Sequence, residues 1–381
     1  MKKIIVAPDS FKGSLTSIEV ANAIEEGIKK VNPNCNIVKL PIADGGEGTM
    51  NTLVSALEGK KIKIKAHDPL MRPIEVEYGL VENGKIAIIE MATTSGLTLL
   101  NKEEQNPSTT TTFGVGEIIK DALKRGYLSF LIAIGGSATN DAGIGMLKAL
   151  GFRFLDKNNK ETNGTGISLQ SINSIDELEV IPELKNAHFT IVCDVNNPFS
   201  GPNGAAYVYA PQKGANEQMV KELDKGMESL RKLIKKNKGV DLNTIPGSGA
   251  AGGLGGGCVA FLNAQLKPGI EVVLENVDFE KHLQNADLVI TGEGKIDKQT
   301  AMGKAASGIL DAASRKNIPI IAIGGAVDER DALVKRGFTS LFSITPGPIS
   351  LEEAMLQKNT KRNITQTTQQ IIRTIVHFEK K

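Results

Sequence analysis

KIIVAPDSFKGS at residues 3–14 and ADLVITGEGKID at residues 286–297 decide the fold of this chain. Each opens on an unbroken apolar run and passes straight into a loop of glycine, acid and lysine. Runs of this kind belong to strands buried on both faces, as in parallel sheets covered by helices. After the first stretch, Thr16 and Glu19 form a T-x-x-E capping box, and Ala21, Ile24 and Ile28 recur at helical spacing. IVKLP at 37–41 reads as a second strand, with a helix entered near Thr49. Around the second stretch, the strands 286–291, 319–323 and 340–344 alternate with helices at about 303–316 and 327–335, and an amphipathic helix at 362–378 follows. Two strands alone cannot make a doubly wound sheet, and neither can three. Together they make five, the flavodoxin count.

The middle of the chain follows a different rule. KIKIK (61–65), IEVEYGLV (74–81) and KIAIIEM (85–91) alternate with period two and are separated by DPLMRP and ENG, both turn chemistry. That predicts an antiparallel, half-solvated meander. FLIAI (130–134), FTIVC (189–193) and YVY (207–209) read as further strands, with helices at about 115–125, 141–150 and 216–237 and a polar surface excursion over 156–187. The expected fold is therefore α/β: a discontinuous flavodoxin- or Rossmann-like doubly wound parallel-sheet domain, residues 1–65 plus 284–381, with an inserted mixed α/β domain, residues 66–283. An interdomain cleft is the expected place for the active site.

Composition narrows the function. The 381 residues carry 45 Lys+Arg against 43 Asp+Glu, too even a balance for a protein whose main partner is nucleic acid. No apolar run reaches membrane length and the N-terminus has no signal core, so a cytoplasmic protein with no membrane partner is expected. Cys35, Cys193 and Cys258 fit reduced thiols, and the four histidines are never at metal-ligand spacing. The oligomeric state stays open, a homo-oligomer included.

Glycine is the excess: 40 residues, 19 of them in five clusters (45–48, 135–145, 247–257, 292–303 and 324–325). Asp9-Ser10-Phe11-Lys12-Gly13 follows the first strand, where a Ser and a Lys before a helix suit an anion. Asp44-Gly45-Gly46-Glu47-Gly48 follows the second and offers carboxylates for Mg²⁺ or for base catalysis. Gly135-Gly136-Ser137, with Asn140 just beyond, can cradle phosphate or substrate with backbone N–H groups. GSGAAGGLGGG, 247–257, formally contains G-x-G-x-x-G. No strand precedes it, so the dinucleotide reading fails; it reads as a loop leading into a helix at 258–264 and touching a phosphorylated ligand or the opposite domain. Glu293, Lys295, Asp297 and Lys304 follow the strand 286–291, and Asp194 ends the strand 189–193. Each cluster also has a plainer reading as a capped turn or a solvated loop. Walker A and G-x-S-x-G motifs are both absent. Acids, lysines and glycine loops without a nucleophile–histidine pair suit phosphoryl transfer, which needs positioning, Mg²⁺ and charge neutralisation.

These residues carry a resemblance. APDSFKGSL (7–15), PIADGGEGT (41–49), IGGSATNDAGIGMLKALG (134–151), CDVNNP (193–198), GAAGGLGGG (249–257), PGIEVVL (268–274) and ITGEGKIDKQTAMGK (290–304) resemble the signature blocks of the bacterial type I glycerate kinase family. Ala306 stands where members often have Pro, and Phe199 where Leu is usual. The resemblance implies a two-domain, ATP- and Mg²⁺-dependent kinase acting on D-glycerate, most often yielding 2-phosphoglycerate. Under it, Lys12 and Ser10 would bind the glycerate carboxylate or the transferred phosphoryl group. Asp44 would be the base or a metal ligand, with Asp194 its rival. Glu293 and Asp297 would hold Mg²⁺ or the ribose, and Lys295 and Lys304 would neutralise phosphate. Gly45, Gly46, Gly135, Gly136, Ser137 and Asn140 would lie against substrate, and Gly252, Gly253 and Gly255 against ATP. The alternatives are a kinase forming 3-phosphoglycerate, another small-molecule kinase such as one of the GHMP type, a ligand-binding regulatory protein on the same scaffold, and an NAD-dependent dehydrogenase.

Overall fold

The computed structural model describes residues 1–42, 49–297, 300 and 305–379. Asp44, Gly45, Gly46 and Lys304 lie outside the described residues. The chain divides into two compact units, Met1–Asp44 with Ile270–Lys381, and Gly45–Gly269. The boundary falls before residue 65 because residues 60–67 are already a strand of the second unit's sheet.

The first unit is built on a five-stranded sheet of β1 (Lys3–Val6), β2 (Asn36–Lys39), β11 (Leu288–Ile296), β12 (Ile320–Val327) and β13 (Ser340–Ser343). All pairs are parallel, in the order β13-β12-β11-β1-β2. Counted within the unit, that is the 2-1-3-4-5 order of flavodoxin-like folds. Ile4, Ile5 and Val6 are fully buried because β1 is central and covered on both faces. The helix Ser17–Lys29 starts at the expected capping box: the Thr16 N–H donates to Glu19 Oε2 at 2.8 Å, and the Glu19 N–H donates to Thr16 Oγ1 at 3.3 Å. The apolar side of this helix packs on the helix Gln357–Glu379. A Cβ on Gly27 would stand 2.6 Å from Thr365 O, so the crossing is set by glycine. The final helix is longer than its apolar spacing indicates, and a short helix at Leu351–Met355 precedes it.

The second unit has a six-stranded mixed sheet of β3 (Lys60–His67), β4 (Pro73–Val81), β5 (Ile86–Glu90), β6 (Ser129–Ala133), β9 (His188–Val192) and β10 (Gln265–Lys267). β3, β4 and β5 pair antiparallel as their alternation indicates; β5, β6, β9 and β10 pair parallel. β7 (Arg153–Leu155) and β8 (Ser174–Asp176) form a separate hairpin. It lies partly in the segment 156–187 read as surface, where Leu169 is nonetheless fully buried. Two other readings are corrected. Residues 207–209 are not a strand but the end of the helix Ala205–Tyr209, which buries Ala205 and Ala206 and leaves Tyr207 and Val208 outside. Burial of the two alanines overrides the β propensity of Tyr-Val-Tyr. Helical structure in the glycine tract begins at Ala250, not 258, and runs to Leu262 with left-handed backbone at Ala251–Gly253. Among the described residues, no helix is long and apolar enough to cross a membrane.

Candidate functional site

The first unit carries a cavity of about 680 Å³ at the carboxyl ends of β1, β11 and β12. Its position follows from hydrogen bonding at the strand ends. The Ala7 N–H donates to Ile290 O and the Asp9 N–H to Gly292 O, both at 2.8 Å, so the loop after β1 tracks β11 beyond the sheet. The chain then turns tightly: the Phe11 N–H donates to Leu15 O at 2.9 Å and the Leu15 N–H to Phe11 O at 3.0 Å. Gly13 supplies the left-handed residue at φ +78°. That turn buries Phe11 and leaves Lys12 at its exposed tip.

Ser10, Lys12, Glu293, Lys295 and Asp297, five of the residues singled out in the sequence, line this one cavity. Asp9 is held at its edge, accepting the Ser10 N–H on Oδ1 at 2.6 Å. Thr300 ties the two acidic positions together: its hydroxyl donates to Glu293 Oε1 at 2.6 Å and accepts the Asp297 N–H at 3.0 Å. Lys295 Nζ stands 3.5 Å from Asp297 Oδ2 and from Asp328 Oδ2. Asp328, in the loop after β12, has no sequence signal beyond following a strand. Among the described residues, no three His, Cys, Asp or Glu side chains gather as a metal centre. Glu293 and Asp297 nevertheless fit a nucleotide-bound Mg²⁺, which takes only one or two carboxylates when phosphates supply other ligands.

The second unit holds the Gly135–Asn140 loop after β6. The Leu97 N–H donates to Gly136 O and the Ala138 N–H to Ser95 O, each at 2.9 Å, pinning the loop to residues 95–97. Gly135 and Gly136 border a small cavity of about 280 Å³ that Glu90, Thr93 and Thr98 also line. Glu90 was not apparent from the sequence; it ends β5 and accepts the Met50 N–H at 2.8 Å.

Beneath the loop lies Lys213, also unforeseen. Its ammonium is buried, donating to Thr139 O at 2.7 Å and to Ser137 Oγ at 3.2 Å. Burial pushes its pKa down to about 7, with Asp141 opposing the shift. Asp141 is itself buried and accepts from the Thr112, Gly143 and Gly145 N–H groups and the Thr112 hydroxyl, at 2.7–3.2 Å. Burial raises its pKa despite those bonds. Among the described residues, neither Nδ2 nor Oδ1 of the buried Asn140 has a hydrogen-bond partner. A lysine in a polar segment such as PQKG offers no sequence signal for burial, whereas Asn140 lies in a glycine loop.

The glycines of the 247–257 tract are closely packed. A Cβ on Gly252 would stand 2.0 Å from Thr139 O, and one on Gly253 2.9 Å from the Phe199 ring. Gly255 faces Gly247 O at 2.8 Å. These glycines let backbone approach backbone, and their Cβ directions are filled by protein. Asp194 Oδ1 accepts the Gly269 N–H at 2.9 Å, at the start of the helix Gly269–Asn276. The Cys193 and Cys258 thiols are raised by burial, Cys258 to about 12, which leaves them poor nucleophiles.

Comparison with known proteins gives one consistent answer. The sequence model of the glycerate kinase family matches residues 4–376. The chain is 46% identical to the glycerate kinase of Bacillus subtilis (strain 168) over 92% of both chains. It is 41% identical to the glycerate 2-kinase of Escherichia coli (strain K12) over 98% of both. A crystal structure from Salmonella typhimurium LT2, provisionally assigned as glycerate kinase 2, is similar with a TM-score of 0.91, at 40% identity and over 100% of both chains.

Proposed function

The chain belongs to the glycerate kinase family, and on that premise we propose that it transfers the γ-phosphoryl group of ATP to a hydroxyl of D-glycerate, giving 2-phosphoglycerate. The observation that carries this reading is the convergence of Ser10, Lys12, Glu293, Lys295 and Asp297 on one cavity at strand carboxyl ends. Two lysines beside two carboxylates make a surface suited to a polyphosphate with its divalent ion. The 41% identity to a glycerate 2-kinase supports the 2-position.

Phosphoryl transfer asks the protein for positioning and for neutralisation of charge. Lys12 and Ser10, on the turn after β1, hold the glycerate carboxylate or the transferred phosphoryl group. Lys295 and Lys304 balance the remaining phosphate charge. Glu293 and Asp297 would hold Mg²⁺, with the Thr300 hydroxyl fixing the Glu293 carboxylate. The ion would supply charge neutralisation to the phosphates when bound. Asp44 takes the proton from the attacking hydroxyl, and Asp194 is its rival. The loop of Gly135, Gly136, Ser137 and Asn140 receives the acid substrate, as do Gly45 and Gly46. The packing of Gly252, Gly253 and Gly255 favours a supporting role over phosphate contact. The three unpaired thiols are consistent with a cytoplasmic enzyme.

The test is turnover of D-glycerate with ATP and Mg²⁺, with the product read by ³¹P NMR. A 2-phosphate resonance is expected. Phosphorylation of homoserine or mevalonate but not glycerate would overturn the reading, and a 3-phosphate product would correct its position. Asp44→Asn and Asp194→Asn, assayed side by side, decide the base: the true base loses turnover with little change in KM.

A further inference from the structure

The cavity of the first unit is larger and less polar than charge neutralisation alone requires. About 680 Å³ is several times the volume of a three-carbon acid and falls in the range of sites for drug-sized ligands. It is also two-sided. Lys12, Glu293, Lys295 and Asp297 line one part, and Ile344, Ile349, Leu351, Ala354 and Met355 line another. The apolar part is open: Leu351 is 75% exposed, and Ile349 and Met355 are each 36% exposed. Contiguous exposed aliphatic side chains rimmed by charge mark a surface that a ligand covers.

Topology places this cavity at a particular point. β1 is where the order of the sheet reverses, with β2 on one side and β11 on the other. Loops leaving neighbouring strands in opposite directions open a crevice there, and open α/β sheets bind nucleotides in it. Phe11 and Lys12 follow β1, Glu293 to Asp297 end β11, and both segments line the cavity.

We propose that this cavity is the nucleotide site: the purine and ribose lie against Ile344, Ile349, Leu351 and Met355, and the triphosphate runs toward Lys12 and Lys295. The assignment rests on the kinase reading above and goes beyond it by separating the two substrates. It gives Lys12 to the transferred phosphoryl group and leaves the glycerate carboxylate to other residues. A three-carbon hydroxy acid has no apolar face to cover these side chains, whereas a purine has two. Thr345 and Asn363, also on the wall, supply polar groups for the edge of the base. Gly294 also lines the cavity. A Cβ there would stand in ordinary contact, 3.6 Å from Lys12 N and Phe11 Cα, so a small side chain fits without strain and a branched one crowds the backbone that carries Lys12.

The experiment uses the full-length chain and direct binding, with MgATP and inorganic tripolyphosphate as separate titrants in calorimetry. Leu351→Asn/Met355→Asn is expected to weaken MgATP at least tenfold, to leave tripolyphosphate within about twofold, and to leave the KM for D-glycerate within about twofold. Gly294→Val is expected to weaken both titrants. Unchanged MgATP affinity in folded Leu351→Asn/Met355→Asn protein would overturn the assignment. So would equal weakening of tripolyphosphate, or a rise in the KM for D-glycerate with ATP binding intact. Should wild-type protein bind MgATP through this wall yet fail to phosphorylate glycerate, the glycerate reading falls and the nucleotide site stands.

Discussion

Two glycine-rich segments of this protein look alike in sequence and differ in what they approach. GSGAAGGLGGG has seven glycines in eleven residues, and its Cβ directions run into Thr139 O, Phe199 and Gly247 O at 2.0–2.9 Å. TGEGKID has two glycines: a Cβ on Gly292, inside the strand, would stand 2.5 Å from Ile323 O, whereas at Gly294, beside the cavity, the nearest atoms would be 3.6 Å away. The richer segment is packed and the sparser one borders the cavity. Glycine density measures how closely something approaches the backbone. Whether that something is protein or ligand is decided by the neighbours.

The comparison can be broken most severely at Gly252. An alanine there must adopt φ +68° and displace the Thr139 carbonyl. Left-handed strain and overpacking together cost roughly 3–5 kcal/mol, so Gly252→Ala is expected to show a large loss in urea midpoint, or no soluble protein. A midpoint equal to wild type would return the segment to the ligand-binding class. Lys12→Ala comes next: removing one charge-stabilising group costs about 10²–10³ in kcat, about 3–4 kcal/mol, with an unchanged thermal midpoint. Near wild-type turnover would remove Lys12 from the chemistry.

A third probe bears on the loop that Gly252 supports. Lys213 is depressed to about 7 from 10.5 in the folded chain. Between those values the unfolded state holds the proton and the folded state has released it, so stability rises with pH across that window. The Lys213→Met variant should lose this rise, read as the difference in urea midpoint between pH 7 and pH 10 relative to wild type. An identical slope in both would show that the ammonium is not held as described. The smallest effect is expected at Gly294→Ala, under about 0.5 kcal/mol in the same unfolding assay, as for substitutions that make only ordinary van der Waals contact. A loss comparable to that of Gly252→Ala would erase the distinction between the two segments.

Much of the first unit was legible because its strands are unbroken apolar runs followed by loop chemistry, and strand ends are where acids and lysines become a site. Ser10, Lys12, Glu293, Lys295 and Asp297 were readable for that reason. The helix Ala205–Tyr209 was not, because its burial rests on two alanines while its larger side chains have β preference. Lys213 was hidden too, since nothing local requires a lysine in a polar turn to be enclosed; its partners, Ser137 and Thr139, lie 74–76 residues away. The apolar wall at Ile349, Leu351 and Met355 has no local signature either, since what joins these side chains to Lys12 is a shared cavity and not a sequence pattern.

The pairing of β1 with β11 also sets an order of events during synthesis. Lys3 and Asp287, which bond at the edge of this pairing, are 284 residues apart. At about 5–20 residues per second, a ribosome needs on the order of tens of seconds to deliver the partner strand. Residues 45–269 are made within that interval and can condense as a nascent domain. β1 can meanwhile pair with β2, but its other edge waits open until β11 emerges, the interval when chaperone capture matters most.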